Sequence, residues 1–405
     1  VAVTGASPDH GRPPDRGGHR GGRHGPERSA RGARGPRTAP PRERGPRVLV
    51  VRLDSDGDVL LAGPAVRAVA AGASHLTLLC GPAGERAARQ LPGVDDVLRW
   101  RCPWIDADPP PVRGPDVDGL VSRLAGLHLD SAVVLTSFHQ SALPLALLLR
   151  LAGVPRIAAA STDYAGTLLD VRLRPGEDFP EDLPEPERAL LVADAAGFPL
   201  PGGDDGRLAV LPPPPVRTLV DSDPYVVMHP GASAPARRWP SWHWREAARR
   251  LALRGHRVVV TGGPGEIRLT REVAGDHATD LGGRTSFPQL SGLVLGASAV
   301  VVGNTGPAHL AAAHGTPVVS LFAPVVPARR WAPYRVPTVL LGDQRAPCAG
   351  SRARHCPVPG HPCLSDVAPE DVVRAVQRLV GRPTHQVSPR AGVARPDPRV
   401  PGGHD

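Results

Sequence analysis

Val300-Val-Val-Gly-Asn-Thr-Gly-Pro-Ala-His309 runs on through Leu310-Ala-Ala-Ala-His314 into Gly315-Thr-Pro-Val-Val-Ser-Leu-Phe322. The β-branched run Val300 to Val302 reads as a short strand that is apolar on both faces. Gly303-Asn304-Thr305-Gly306 breaks the strand with residues that tolerate tight turns and leave backbone N–H groups uncovered. Pro307 stands where a first helical residue would, and Ala308 to His314 continues as a small-residue helix closed by Gly315. Pro317 to Phe322 is the next strand. A turn at the carboxyl end of a parallel strand, feeding a helix N-terminus, suits a diphosphate. It equally serves an ordinary strand–helix–strand crossover, and the stretch alone leaves both readings open.

The chain around it repeats the rhythm. Arg47 to Leu53 is a clean strand, Asp54 to Val59 a polar turn with Gly57 at its tightest point, and Val59 to Ala71 helical with a blemish at Pro64. Strands over 75–80, 94–100, 131–136 and 154–159 alternate with helices over 84–90, 117–127 and 142–151. Residues 160–218 are less regular, with one helix over 185–196, and Leu211-Pro-Pro-Pro-Pro215 makes a stiff linker. A second series follows: strands over 225–229 and 256–261, helices over 242–254, 266–274 and 286–295, then the opening stretch and a last helix over 371–380. This alternation predicts an α/β chain, with two doubly wound parallel-sheet domains facing a cleft.

Charge sits at the ends. Of the 405 residues, 48 are basic, all of them Arg, and the net charge is +9. Residues 1–46 hold ten Arg against four acids, and residues 382–405 four Arg against two. Both ends are too poor in apolar residues to fold and read as solvated, disordered tails, leaving a nearly neutral body. Nucleic-acid binding is therefore not the expected role. No membrane-spanning run or signal core is present, and five cysteines give no disulfide framework, so a cytoplasmic protein is expected.

Four loops carry chemistry-bearing residues. Asp54, Asp56 and Asp58 surround Gly57 after the first strand; Asp58 reads either as a helix N-cap or as a general base facing the cleft. After the strand over 225–229, Gly231, Ala232 and Ser233 permit close approach of a phosphate, which Arg237 and Arg238 can neutralise. Thr261-Gly-Gly-Pro-Gly-Glu266 lacks the G-x-G-x-x-G spacing of a dinucleotide site, and Glu266 can serve a ribose or only its helix N-terminus. Cys348, Cys356 and Cys363, with His355 and His361 between, have zinc-ligand chemistry but no C-x2-C pair, and no metal is expected.

In combination, Arg47-Val-Leu-Val-Val-Arg-Leu…Gly57-Asp-Val-Leu60, His229-Pro-Gly-Ala…Arg237-Arg-Trp-Pro240 and Asn304-Thr-Gly-Pro-Ala-His309 resemble glycosyltransferase family 9, the bacterial heptosyltransferases that use ADP-heptose. The likeness runs over about residues 47–380, including the late cysteine-bearing loop. It implies a GT-B fold with Rossmann-like halves: an acceptor domain over 47–218 with its linker, and a nucleotide-sugar domain over 219–381. It also implies an inverting glycosyltransferase, moving a heptose from an ADP-linked donor to a hydroxyl of a glycan, lipid-linked or small-molecule acceptor. Asp58 matches the catalytic aspartate, with Asp56 and Gly57 beside it on the acceptor-side loop. Gly231, Ala232, Ser233, Arg237, Glu266, Asn304, Thr305, Gly306 and His309 fall on the donor side. Asn304 stands where the family often has Asp, which weakens any metal site there, and no cofactor beyond the donor is expected. A peripheral place at the inner face of the membrane fits such an enzyme. The competing readings are a GT-B-like nucleotide-sugar epimerase or hydrolase, and a non-catalytic nucleotide-sugar- or RNA-binding protein.

Overall fold

The computed structural model describes residues 45–137, 139–221 and 223–381. The Arg-rich ends, expected to be disordered, lie outside the described residues except for Gly45 and Pro46. Among the described residues twelve strands form two six-stranded sheets, every pairing between them parallel. In the first, β1 (Arg47–Arg52), β2 (His75–Cys80), β3 (Asp96–Arg99), β4 (Ser131–Val134), β5 (Arg156–Ala160) and β6 (Val171–Leu173) lie in the order β3-β2-β1-β4-β5-β6. In the second, β7 (Tyr225–His229), β8 (Arg257–Val260), β9 (Thr279–Asp280), β10 (Ala299–Gly303), β11 (Val318–Leu321) and β12 (Thr338–Leu341) lie in the order β12-β11-β10-β7-β8-β9.

Numbered within each half, the two orders are the same: strand order reverses between the first and fourth strands. Chains leaving adjacent strands to opposite sides open a crevice at that point. In one half it lies between β1 and β4, in the other between β7 and β10. The central strands are buried, apart from Arg47 at the start of β1, because helices cover both sheet faces, which is why their middles are apolar without alternation. Among the described residues Trp244 and Phe322 are the bulkiest fully buried side chains, in a core built largely of Val, Leu and Ala.

The sequence reading needs two corrections at the end of β1. Residues 54–59 are not simply a turn: a helix already spans Asp56–Leu61, with Ser55 as its N-cap. Pro64 then neither kinks nor delays that helix but sits in the first turn of a separate one, Gly63–Gly72, where its missing N–H costs nothing. The edge strands β6, β9 and β12 were not expected. Elsewhere the helix after β10 spans Gly306–His314, and Gly315 ends it in the left-handed conformation at φ 73°.

Candidate active site

The turns after β1 and β10 meet. Two adjoining cavities open there, of about 390 Å³ and 500 Å³, a size suited to small ligands. They share a wall made by Ser55, Gly57, Arg237, Asn304, Thr305 and Gly306. Beyond that wall the smaller is lined by Asp54, Asp58, Ser137, His139, Gln140 and Arg354. The larger is lined by Asp56, Arg86, His229, Gly231, Ser233 and Glu266.

Asp58 is not an N-cap. It is the third residue of its helix and reaches back to the cap, its Oδ2 accepting from the Ser55 hydroxyl at 2.8 Å and the Ser55 N–H at 3.4 Å. Its Oδ1 accepts from Arg52 Nη2 at 3.1 Å. Burial alone would raise its pKa, but Arg52, the Ser55 hydroxyl, His309 and Arg237 together hold the carboxyl below its usual range. It is therefore ionised near neutrality and opens on the smaller cavity. Asp54, 3.0 Å from Arg52 Nε, shares the same guanidinium, yet burial pushes it up to about 6. Asp56, grouped in the sequence reading with Gly57 on one acceptor-side loop, lines the larger cavity and not the smaller one; Gly57 borders both. Asp56 is taken up by Arg86 at 2.6 Å and by the Ala87 N–H at 3.1 Å.

The shared wall, with His309 beside it in the smaller cavity, is rich in hydrogen-bonding atoms with nothing to bond. Arg237 Nε, Asn304 Nδ2, Thr305 Oγ1 and His309 Nδ1 are buried and without a partner in the protein. Such atoms are costly in a native fold unless a ligand or water completes them. Three of them carry N–H or O–H donors beside a helix N-terminus, which also favours negative charge. Arg237 donates from Nη1 to the Asn304 carbonyl at 3.4 Å, which aligns it along that turn. His309 is held neutral, its pKa pushed down to about 4 by burial.

Glu266 accepts from the Gly263 N–H at 2.7 Å and stands 3.8 Å from His229. Gly231 makes room for it: a β-carbon there would fall 1.9 Å from Glu266 Oε1. Ala232 accepts from Arg238 through its carbonyl at 2.9 Å, and Ser233 is exposed at the cavity mouth. Sequence reasoning missed Arg52, Asp54's link to it, Arg86 and His139. The cysteine-bearing loop packs instead into the core of the second half through Cys348 and Cys363. Among the described residues no His, Cys, Asp and Glu side chains gather in threes as for a metal. No helix among them is long and apolar enough to cross a membrane.

Residues 171–360 match the family model described as glycosyltransferase family 9 (heptosyltransferase). That match spans a little under half of the chain, which resembles the family 9 heptosyltransferases over this stretch. Lipopolysaccharide heptosyltransferase 1 of Pseudomonas aeruginosa is 35% identical to it over 176 residues, 41% of this chain and 46% of that protein. Lipopolysaccharide heptosyltransferase 2 of Escherichia coli is 31% identical over 118 residues, 27% of this chain and 34% of that protein. The chain thus matches about half or less of the length of these curated relatives. Similarity in fold extends further. The glycosyl transferase family 9 structure from Veillonella parvula superposes with a TM-score of 0.66 at 17% identity, covering 83% of this chain and 97% of that one. E. coli ADP-heptose lps heptosyltransferase II superposes with 0.61 at 20% identity, covering 82% and 98%. The two facing sheets are the GT-B fold.

Proposed function

We propose that the chain is an inverting glycosyltransferase that moves a heptose from an ADP-linked donor to an acceptor hydroxyl. The observation that carries this reading is the set of unpartnered buried donors on Arg237, Asn304 and Thr305, placed where two cavities join and facing Asp58. A diphosphate accepts hydrogen bonds without donating and carries the charge that a guanidinium and a helix N-terminus favour. The larger cavity, with Glu266 and Gly231, takes the nucleoside; the smaller takes the acceptor. The curated relatives named above are heptosyltransferases, and a solved E. coli heptosyltransferase holds ADP-2-deoxy-2-fluoro heptose, which supports the choice of donor.

Transfer proceeds in one displacement. The acceptor oxygen attacks the anomeric carbon, its proton passes to an Asp58 carboxylate oxygen, and the bond to the diphosphate breaks with inversion. A positioned base contributes ~10²–10⁴-fold. Charge growing on the leaving diphosphate is met by Arg237, by Asn304 Nδ2 and Thr305 Oγ1, and by the first turn of helix Gly306–His314. This route needs no cofactor beyond the donor. We place it in the cytoplasm, in keeping with five unpaired thiols, and at the inner membrane face where the acceptor is lipid-linked.

The test is ADP release from ADP-heptose with and without a panel of glycan, lipid-linked and small hydroxylated acceptors. Release that depends on an acceptor, with a glycosylated product, is expected. Equal release without any acceptor points to hydrolysis or epimerisation and overturns the transfer reading.

A further inference from the structure

One buried carboxylate stands behind the candidate base without touching either cavity's shared wall. Glu185 opens helix Glu185–Ala195 in the first half and is 3% exposed. Its Oε1 accepts from Arg330 Nε at 3.0 Å and Nη2 at 2.6 Å; Arg330, also 3% exposed, belongs to helix Ala328–Trp331 of the second half. Its Oε2 lies 3.6 Å from Arg52 Nη2, the same nitrogen that donates to Asp58 at 3.1 Å and to Ser137 Oγ at 2.8 Å. Arg188 Nε, at 3.9 Å, is the third guanidinium facing it.

Fully buried ion pairs are poor sources of stability, because desolvation offsets most of the attraction; registry or switching is their best-attested use. Other links join the same segments, Tyr334 to Glu187 at 3.0 Å and Arg329 to Asp182, but these reach solvent. The Glu185–Arg330 pair continues inward to the site through Arg52. The resulting line runs Arg330, Glu185, Arg52 and then Asp54 and Asp58 together.

We propose that Glu185 is a positioning residue for Asp58: anchored by Arg330 from the opposite half, it draws on the guanidinium of Arg52 and so sets how much of that charge is left for Asp58 and Asp54. The inference rests on Asp58 being the base. Seating of the second half thereby tunes the proton acceptor of the first. The charged groups facing this line are Asp54, Asp58 and Glu185 around Arg52; His309, Arg237 and His139 around Asp58; and Arg52, Arg188 and Arg330 around Glu185, with Glu181 behind Arg188. Removing the Glu185 charge leaves Arg52 more positive toward the two aspartates and lowers both their midpoints. Removing the Arg330 charge leaves Glu185 to lean more heavily on Arg52, with Arg188 its other cationic neighbour, and raises them. A pair that only ties the halves together, with no charge reaching the aspartates through Arg52, gives neither shift.

The experiment is a carboxyl ¹³C titration of Asp54 and Asp58 in the full chain, the signals assigned with D54N and D58N, in wild type, E185Q and R330M. E185Q is expected to lower the Asp54 midpoint by about half a unit or more, a threefold change in its acid constant, and R330M to raise it. If R330M does not fold, E185L/R330M, which removes both charges, is expected to fold and to follow E185Q. Unchanged midpoints in E185Q, or shifts of one sign in E185Q and R330M, overturn the proposal. Absence of sugar transfer, by contrast, leaves these midpoints as expected and sinks only the functional reading on which it rests.

Discussion

A β-carbon added to Gly57 would stand 3.0 Å from Cδ2 of His309, so the first turn of the helix after β1 lies hard against the helix after β10. Gly306 returns the contact, since its own β-carbon would lie 3.5 Å from the β-carbon of Asp56. A methyl at Gly306 would only reach van der Waals contact, but one at Gly57 would press on His309 where the cavities share a wall. The two strand-end turns thus approach this closely chiefly because Gly57 carries no side chain at the crossing.

Gly57→Ala is expected to be destabilising although its backbone strains nothing. The imidazole of His309 is 3% exposed and has little room to give the few tenths of an ångström required. Overpacking of this kind costs about 1–3 kcal/mol, readable as a lower midpoint in urea unfolding with the slope unchanged. A variant as stable as wild type would mean that the halves are slack at this contact.

Gly231→Ala should act through Glu266. The added methyl would displace a carboxylate whose Oε2 accepts from the Gly263 N–H, so nucleotide affinity is expected to fall. Glu266→Ala removes the obstacle. The double variant should then bind nucleotide no worse than Glu266→Ala alone, a non-additive result expected of touching residues. Additive losses in calorimetry would show that the two positions act separately.

Acid should weaken the fold between about pH 6.5 and pH 4. Burial holds both His309 and His314 down to about 4, below the ordinary histidine value of about 6.5. In that window the unfolded chain takes up protons that the folded chain refuses, so stability is full above the unfolded pKa and is lost as pH falls toward the folded one. Asp54, raised to about 6, works in the opposite sense, its contribution being present at low pH and lost as pH rises through 6. Two histidines outweigh one aspartate, and a net loss is expected. His314 lies at the far end of its helix, paired with Ser291 Oγ at 2.7 Å, so His314→Gln should flatten the loss without touching the cavities. An unchanged slope in unfolding between pH 7 and pH 5 would contradict this.

Much of this architecture is legible in the chain, and its limits have physical causes. β1, β7 and β10 are unmistakable because strands buried on both faces must be apolar without interruption. β6, β9 and β12 are edge strands, two to four residues long and only half buried, so no apolar run marks them. The helix at Asp56 was read as a turn because Asp, Gly and Asp at its start are turn-formers locally, and its cap, Ser55, completes a box only with Asp58. Arg237, Asn304, Thr305 and His309 stood out because they flank glycine-bearing turns at strand ends. Glu185, Arg330 and Arg52 left no trace, since an ion pair between residues 145 apart has no local pattern.

Asp58 and Asp54 can be separated by amide substitution. Asp58→Asn keeps an oxygen for the Ser55 N–H and hydroxyl but cannot hold a proton, and kcat for acceptor-dependent ADP release is expected to fall by at least ~10²-fold, the low end for loss of a base. Asp54→Asn should leave the greater part of the rate, since Asp58 keeps its bond to Arg52. Wild-type turnover in Asp58→Asn, with loss in Asp54→Asn, would move the base to Asp54.

The measurement closest to the central claim is calorimetric titration of ADP into the wild-type chain and into Arg237→Ala. A charge-assisted hydrogen bond is worth about 1.5–3 kcal/mol, so binding should be present in wild type and weaker by ~10–100-fold in the variant, with the melting temperature of the free protein little changed. No ADP binding by the wild-type chain, or equal affinity in the two proteins, would contradict a diphosphate site on the wall formed by Arg237, Asn304 and Thr305.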